Sequence, residues 1–451
     1  MDGLSRGPPT RLPYALASVP ERRRAPCGLK MPSAPLAVGL IVTASLLLML
    51  IRPRDIAEGW WIGGGAALLL VTRLLPWRTA VHAVGEGTDV YLFLAGMMLL
   101  SELARREGVF GWLASLAVGS SRRSRSRLFT TTYAIGTLVT IFMSNDATAV
   151  VLTPAILAAV KKAKVPPLPY LFVCALVANA ASFVLPISNP ANLVVFDGTM
   201  PSLGRWLASF AIPSALSILT TYGALRWLFR QDLRGVVPDH GRPEPLSLAG
   251  RLVLVGLGLV TVVLLIASSV RADLGLPTFV ASVVVTAAVC AAAKRNPLPL
   301  ARAISVGPLF LVAGLFILVD AIEGIGALDV TRAWLAGAAA LPPVAGALLA
   351  GSFVAVANNV VNNLPLGLIA GATLRQAHPS TLLSNVVLIG VDLGPNLSVT
   401  GSLATILWLI ALRKEKVKVS FFQFLKVGVV AMPLALLAAV GGSLLMHSIF
   451  R

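Results

Sequence analysis

The sequence predicts an all-α polytopic membrane protein of two inverted-topology repeats. Each repeat carries a re-entrant helical hairpin and a broken transmembrane helix, for about 10 transmembrane segments in all. Three observations predict this. Of 451 residues, 57% are apolar and only 12% charged, against roughly 25% charge in a soluble domain, and mean hydropathy is +0.85. Runs such as 248–270 and 277–293 are long enough to cross a bilayer. Polar, Pro- and Gly-containing interruptions recur at matched places in the two halves. The first two observations exclude soluble enzymes, nucleic-acid binders and disulfide scaffolds.

Residues 1–30 hold Pro8, Pro9 and Arg22-Arg23-Arg24 but no apolar stretch, and read as a disordered extension or as sequence ahead of a start at Met31. A first membrane repeat is expected over 31–229, with apolar segments near 36–51, 60–75, 90–104, 109–119, 128–143, 148–160, 168–187, 191–197 and 204–229. A polar cytoplasmic linker follows at 230–250. The second repeat, 251–451, runs through 251–270, 277–293, 304–320, 328–340, 344–357, 364–374, 380–391, 397–412 and 422–449. Trp60, Trp61, Trp77 and Trp408 read as interface anchors.

The halves match internally. Gly96-Met-Met-Leu-Leu-Ser-Glu102, followed by Gly108, pairs with Gly314-Leu-Phe-Ile-Leu-Val-Asp320, followed by Gly326, at an offset of 218. Asn145-Asp146 meets Asn362-Asn363 at 217, and the Pro190 segment falls opposite Pro395. The net charge of +18 is concentrated in short basic clusters between apolar runs, as positive-inside loops are. Four arginines lie at 122–127, whereas the matching stretch 337–350 has no charge. Equivalent loops therefore lie on opposite sides. The clusters place 105–106, 122–127, 161–164, 230–251, 294–295 and 413–418 in the cytoplasm and the C-terminus outside.

Four interruptions carry the candidate site. Ser144-Asn145-Asp146-Ala147-Thr148 reads as the tip of one hairpin, whose flanks look too short to span, and Asn362-Asn363-Leu364-Pro365 as the tip of its twin. Ser188-Asn189-Pro190-Ala191-Asn192 and the run Asp392 to Ser402, with Gly394, Asn396, Ser398 and Thr400, read as the unwound middles of broken helices. Irregular backbone at membrane depth is tolerated only where protein buries it or it lines a cavity. The expected substrate-binding set is Ser144, Asn145, Thr148, Ser188, Asn189, Asn192, Asn362, Asn363, Gly394, Asn396, Ser398, Thr400 and Ser402. Asp146 and Asp392 are the expected proton-coupling groups, because an intramembrane carboxylate is costly to keep without a role. Glu102 and Asp320, at equivalent positions near helix ends, read as structural or interfacial. Cys27, Cys174 and Cys290 are too scattered for a disulfide or metal site, and no GxxxxGK[ST] loop is present to cradle ATP; no cofactor is expected.

These residues resemble the arsenite efflux permeases of the ion-transporter superfamily. The resemblance rests on Ser144-Asn-Asp-Ala-Thr-Ala-Val-Val-Leu-Thr-Pro154, Ser188-Asn-Pro-Ala-Asn-Leu-Val194, Asn362-Asn-Leu-Pro365 and, most specifically, the long run from Asp392 to Trp408, and it covers about 31–451. It implies export of arsenite and antimonite across the plasma (inner) membrane by a proton-coupled antiporter. It also brings a soluble arsenite-stimulated ATPase, known for some members, as a candidate partner at the basic loops. Relatives often carry Lys where this chain has Asn396 and Asp where it has Asn179, so those charge roles are not carried over. Arsenite near neutral pH is mostly uncharged As(OH)₃, as antimonite is Sb(OH)₃. Such solutes need amide and hydroxyl partners rather than arginine clamps. The alternatives are a sodium- or proton-coupled carrier of a dicarboxylate-like anion, a sodium/proton antiporter of the same superfamily, and a membrane scaffold that transports nothing.

Overall fold

The structure is a computed structural model that describes residues 34–238 and 245–449; the extension 1–30 lies outside the described residues. Twenty α-helices form two series of ten. The first comprises α1 (Ala34–Ile51), α2 (Glu58–Val71), α3 (Trp77–Glu86), α4 (Thr88–Arg106), α5 (Val109–Gly119), α6 (Arg125–Phe142), α7 (Thr153–Lys162), α8 (Leu168–Ala180), α9 (Pro190–Val195) and α10 (Leu203–Leu228). The second comprises α11 (Leu248–Ser269), α12 (Gly275–Ala292), α13 (Leu298–Ala301), α14 (Val306–Gly324), α15 (Leu328–Ala339), α16 (Pro343–Val361), α17 (Asn363–Ala377), α18 (Thr381–Leu393), α19 (Leu403–Lys414) and α20 (Phe421–Ile449).

The two series correspond helix for helix. A shift of 218 residues carries α4 onto α14 at both ends and the start of α10 onto the start of α20. The turns after α4 and α14 both use a left-handed glycine, Gly108 (φ +77°) and Gly326 (φ +80°), where a side chain would be strained. In the broken helices the shift is 213, since α8 maps onto α18 and the start of α9 onto that of α19. This corrects one sequence pairing: Pro190 stands opposite Leu403, and Pro395 has no counterpart there. A shorter hairpin arm and a shorter loop before α18 account for the slip, which composition alone does not reveal.

Among the described residues seven helices are long and apolar enough to cross a membrane, and the α3–α4 pair, bent by 49°, makes an eighth. Of these, α1, the α3–α4 pair and α10 belong to the first repeat, where α2 and α8 are shorter apolar helices and α8 with α9 forms the broken one, five segments matching the sequence expectation. An odd number turns the second repeat over relative to the first, giving about ten spans and two hairpins. One expectation about the hairpins needs correction. Their first arms, α6 and α16, have 18 and 19 residues, roughly 27 Å at 1.5 Å per residue, so only the outer arms are short.

The repeats lock together by exchange. Helix α2 packs on α14 and α12 on α4, while α10 and α20 lie against each other. Gly96 and Gly314 make the first two crossings possible: a Cβ on Gly96 would lie 3.0 Å from the Phe279 backbone, and one on Gly314 would lie 2.8 Å from Ile62 Cγ2. Without a hydrophobic drive between helices in lipid, such close small-residue contacts supply the attraction. At the centre sit α8, buried along all of Pro169–Ala180, and α18. Trp60 and Trp77 are exposed as interface anchors would be, but Trp408 is fully buried against Phe172 and Phe424, where its large ring fills the core.

Candidate functional site

Each interruption becomes a short irregular segment held by its own polar side chains. After α8 the chain unwinds through Pro186–Ser188 and restarts at Pro190, a residue suited to a first helical turn because its missing N–H has no partner there anyway. Asn189 Oδ1 accepts from the Ala191 N–H at 3.0 Å. In the second repeat Ser402 Oγ accepts from the Ala404 N–H at 3.0 Å, the same cap at the matching position. Asn192 Nδ2 donates to the carbonyls of Ser182 (2.9 Å), Leu185 and Pro186, which the broken helix leaves bare. Ser188 Oγ donates to the Ile141 carbonyl at 3.0 Å, tying the first break to the first hairpin.

The first hairpin tip turns at Ser144, whose Oγ accepts from the Ala147 N–H at 3.2 Å, and Asn145 Oδ1 accepts from the Asp146 N–H at 2.9 Å. The outer arm then begins with a π-helical turn over Ala147–Leu152, a distortion that collects at functional positions. Thr148 faces Thr140 across the hairpin, hydroxyl to hydroxyl at 2.8 Å. Ser144, Asn145 and Thr148 are buried, whereas Asp146 is partly exposed, and its carboxylate has no hydrogen-bond or ionic partner among the described residues.

The second tip is tighter. Asn362 adopts φ +79° with ψ 153°, a conformation that strains any residue with a Cβ. Its Nδ2 donates to the Thr400 carbonyl at 3.1 Å, tying this tip to the second break. Asn359 Oδ1 accepts from the Ser398 N–H (3.1 Å) and Oγ (2.8 Å), and Thr400 Oγ1 donates to the Asn359 carbonyl at 2.8 Å. Asn358 Nδ2 donates to the Val391 carbonyl. Gly394 lets this chain pass: a Cβ there would lie 2.5 Å from the Ala355 carbonyl. The buried amide oxygens Oδ1 of Asn179, Asn192, Asn358 and Asn363 have no hydrogen-bond partner among the described residues.

The two breaks meet at Asp392, which is fully buried. Its Oδ2 lies 2.6 Å from Ser182 Oγ, and its Oδ1 accepts from Asn189 Nδ2 at 2.8 Å. Beside it, Asn179 Nδ2 donates to Asn396 Oδ1 at 2.9 Å, and Asn396 Nδ2 donates to the Leu176 carbonyl at 3.0 Å. Asn179 is the counterpart of Asp392 under the 213 shift, and Asp146 is the counterpart of Asn363 under the 217 shift. Among the tips and breaks each repeat thus holds one carboxylate, and the corresponding position in the other repeat holds its amide isostere.

The structure therefore gathers the expected residues into two tip-and-break pairs joined at Asp392. Most of their polar atoms already hold broken backbone, which leaves Asp146 and the orphan amide oxygens as the free groups. Sequence reasoning missed Ser182, Asn358 and Asn359. The last two lie one helical turn before Asn362 and Asn363, on the same face, and that i, i+4 spacing was the available signal. Glu102 is ion-paired to Arg105 and Arg106, away from this network. A cavity of about 500 Å³ lies elsewhere, between α5 and α7, lined by residues including Glu107, Trp112, Ala159 and Lys162.

Comparison with known proteins agrees with this architecture. The family described as citrate transporter (CitMHS) matches residues 38–391. An arsenical pump membrane protein of Yersinia enterocolitica is 26% identical over 422 residues, covering 88% of this chain and 95% of the relative. That of Escherichia coli K12 is 27% identical over 425 residues with the same coverage. Among solved structures, the Alcanivorax borkumensis YdaH transporter, described as having an unusual topology, aligns with a TM-score of 0.56 over 93% of this chain and 98% of its own at 16% identity, a likeness of fold. Two helix series in register, two hairpins, two broken helices and a family match over most of the length lead to one assignment: the chain belongs to the citrate transporter (CitMHS) family of multi-pass membrane transporters, and it is similar along nearly its whole length to arsenical pump membrane proteins.

Proposed function

We propose that this protein exports arsenite and antimonite, as uncharged As(OH)₃ and Sb(OH)₃, from the cytoplasm in exchange for protons by alternating access. It would do so in the plasma (inner) membrane with its C-terminus outside. The observation that carries the reading is the chemistry of the tips and breaks. They present amides, hydroxyls and two carboxylates, and among the described residues no lysine or arginine donates to any of them. A neutral polyol-like solute can hydrogen-bond to such groups, whereas an anion would meet the unpartnered carboxylate of Asp146. The names of the relatives support the same substrate class.

An uncharged substrate draws nothing from the membrane potential, which supplies about 2.3 kcal/mol per elementary charge per 100 mV. Energy must then enter with a coupled ion, and Asp146 and Asp392 can each take one up as a proton. Neutralised, such a carboxylate no longer demands water or a cation, so the occluded carrier becomes easier to cross through. The hairpin of each repeat packs on the broken helix of the other: α17 lies on α9, and the π-helical turn of the first hairpin lies on α19. Movement of one repeat against the other would therefore alter both sites together.

A second reading, a sodium- or proton-coupled anion carrier, is favoured by the family's description as citrate transporter and by the positive helix N-termini at Asn363 and Leu403. Purified full-length protein in proteoliposomes separates the two. Arsenite moved uphill by a pH gradient is the expected result. Uptake of citrate or succinate on a sodium or pH gradient, without arsenite flux, would replace this reading with the second.

A further inference from the structure

The short contacts around Asp392 can be tested by counting hydrogens. Ser182 Oγ lies 2.7 Å from the Asn179 carbonyl oxygen and 2.6 Å from Asp392 Oδ2. A serine hydroxyl has one hydrogen to give and two lone pairs to accept with. If Asp392 were a carboxylate, Ser182 would face two acceptors with one hydrogen. One of the two short contacts would then join oxygens with no proton between them. The Asn189 side of the carboxyl is settled independently. Asn189 Oδ1 accepts from the Ala191 N–H, which fixes the amide orientation and directs Nδ2 to donate to Asp392 Oδ1. Oδ1 is therefore an acceptor, and Oδ2 remains as the oxygen able to carry a hydrogen.

We infer that in this conformation Asp392 is a neutral acid whose proton sits on Oδ2 and is donated to Ser182 Oγ, while Ser182 donates onward to the Asn179 carbonyl, so that Ser182 is the positioning residue of the proton seat. Every short contact then has one hydrogen. The seat spans the repeats, because the carboxyl comes from α18 and both of its partners come from the first break. Loss of the proton leaves two acceptors on Ser182 and weakens this joint, so uptake and release are tied to how firmly the two breaks hold together. The role of this joint in transport rests on the proton-exchange reading above; the position of the proton does not.

No charged group relieves the count. Among the elements packed on α18, helix α8 carries Tyr170, whose hydroxyl donates to the Arg125 carbonyl, and the buried thiol Cys174. Helices α9 and α16 carry no ionisable side chain. Arg375 of α17 is paired with Asp197, and on α20 Lys426 is exposed and His447 lies near the C-terminal end. The carboxyl has Ser182 and Asn189 as its hydrogen-bond partners.

Infrared spectroscopy of the full-length protein in lipid at neutral pH reads the seat without any substrate. The difference between wild type and Asp392→Asn should contain a deuterium-sensitive C=O band of a protonated carboxyl. Ser182→Ala should shift that band to higher frequency, because the acid loses its acceptor, and Ser182→Thr should restore it. Should Ser182→Ala fail to fold, Ser182→Cys, a weaker acceptor, must shift the band in the same direction. A carboxylate band in place of the acid band overturns the inference, and so does an acid band that none of the Ser182 variants moves. An acid band behaving as expected in a protein without pH-driven arsenite export removes the proposed function and leaves the seat standing. Proton-driven export without the acid band does the reverse.

Discussion

The two repeats share a backbone plan but place their carboxylates in different parts of it. In the first repeat the hairpin tip reads Asn145-Asp146, and the broken helix carries Asn179; in the second the tip reads Asn362-Asn363, and the broken helix carries Asp392. Asp146 is partly open and unpartnered, while Asp392 is sealed and held by Ser182 and Asn189. Duplication thus kept the polar geometry and divided the ionisable chemistry. Asn179 presents an amide, not a second carboxylate, to this joint: its Nδ2 donates to Asn396 Oδ1, and its main-chain carbonyl accepts from Ser182.

The largest expected effect comes from placing an unpaired charge at this joint. Asn396→Lys should destabilise the protein by about 3–5 kcal/mol, the cost of a buried ion left without a partner. Asn179→Asp combined with Asn396→Lys should recover much of that loss, because the two side chains already touch at 2.9 Å. Thermal unfolding of the single and double variants in detergent, read as a double-mutant cycle, measures the coupling. A double variant no more stable than Asn396→Lys alone would show that these positions do not behave as a pair.

Next in size are the variants that make the repeats alike. Asp146→Asn gives both tips the same Asn-Asn pair, and Asp392→Asn gives both breaks the same amide. Each should lower uphill, pH-driven arsenite export by about 100-fold, roughly 2.8 kcal/mol, while downhill exchange continues. Moving the carboxylate, as Asp146→Asn with Asn363→Asp, sharpens the comparison. Recovered export would mean that either tip can couple, and continued loss would mean that the site on the first hairpin is specific. Full pH-driven export by Asp146→Asn with Asp392→Asn would remove both residues from the coupling.

How much of this was legible depends on what kind of signal each feature leaves. Pro190, Pro395, Gly394 and the Asn-rich tips punctuate apolar runs, so the four interruptions stand out, and matched glycines such as Gly108 and Gly326 expose the duplication. The register within the breaks was misread, because one helix cap uses Asn189 and its counterpart uses Ser402, two residue types with the same job. Ser182 left no signal at all: a serine in an apolar stretch looks like interhelical glue, and its partner Asp392 is 210 residues away. Trp408 misled for the opposite reason, since an aromatic near a basic cluster marks an interface in most membrane helices but here fills a core.

A smaller effect tests the exchange of helices between the repeats. Gly96→Ala should cost about 1–3 kcal/mol, as overpacking does, because the new methyl would sit 3.0 Å from the Phe279 backbone, which cannot turn aside. Gly314→Ala should cost less, since its nearest atom is the Cγ2 of Ile62, a side chain with some room to move, and the backbone there is 3.3 Å away. Equal losses in thermal stability would mean that the two crossings are more alike than their glycines suggest.

The smallest effect belongs to Glu102, one of the acidic residues that lie in membrane helices without an expected role in coupling. Glu102 accepts from Arg105 Nε at 2.7 Å through Oε2, and from Arg106 Nε at 2.6 Å through Oε1. Arg106 in turn donates to the Pro299 carbonyl at 2.9 Å, so the cluster fastens the end of α4 to the segment before α14. Two neighbouring guanidinium groups already occupy both oxygens of the carboxylate, so the side chain has a structural job at the end of α4. Glu102→Gln keeps one carbonyl oxygen for either arginine and loses the charge, a change worth about 0–1 kcal/mol for a cluster near the surface. Thermal stability should fall by no more than that, and pH-driven arsenite export should stay within about twofold of wild type, roughly 0.4 kcal/mol. Export lost as completely as in Asp146→Asn would move the coupling from the tips and breaks to the end of α4.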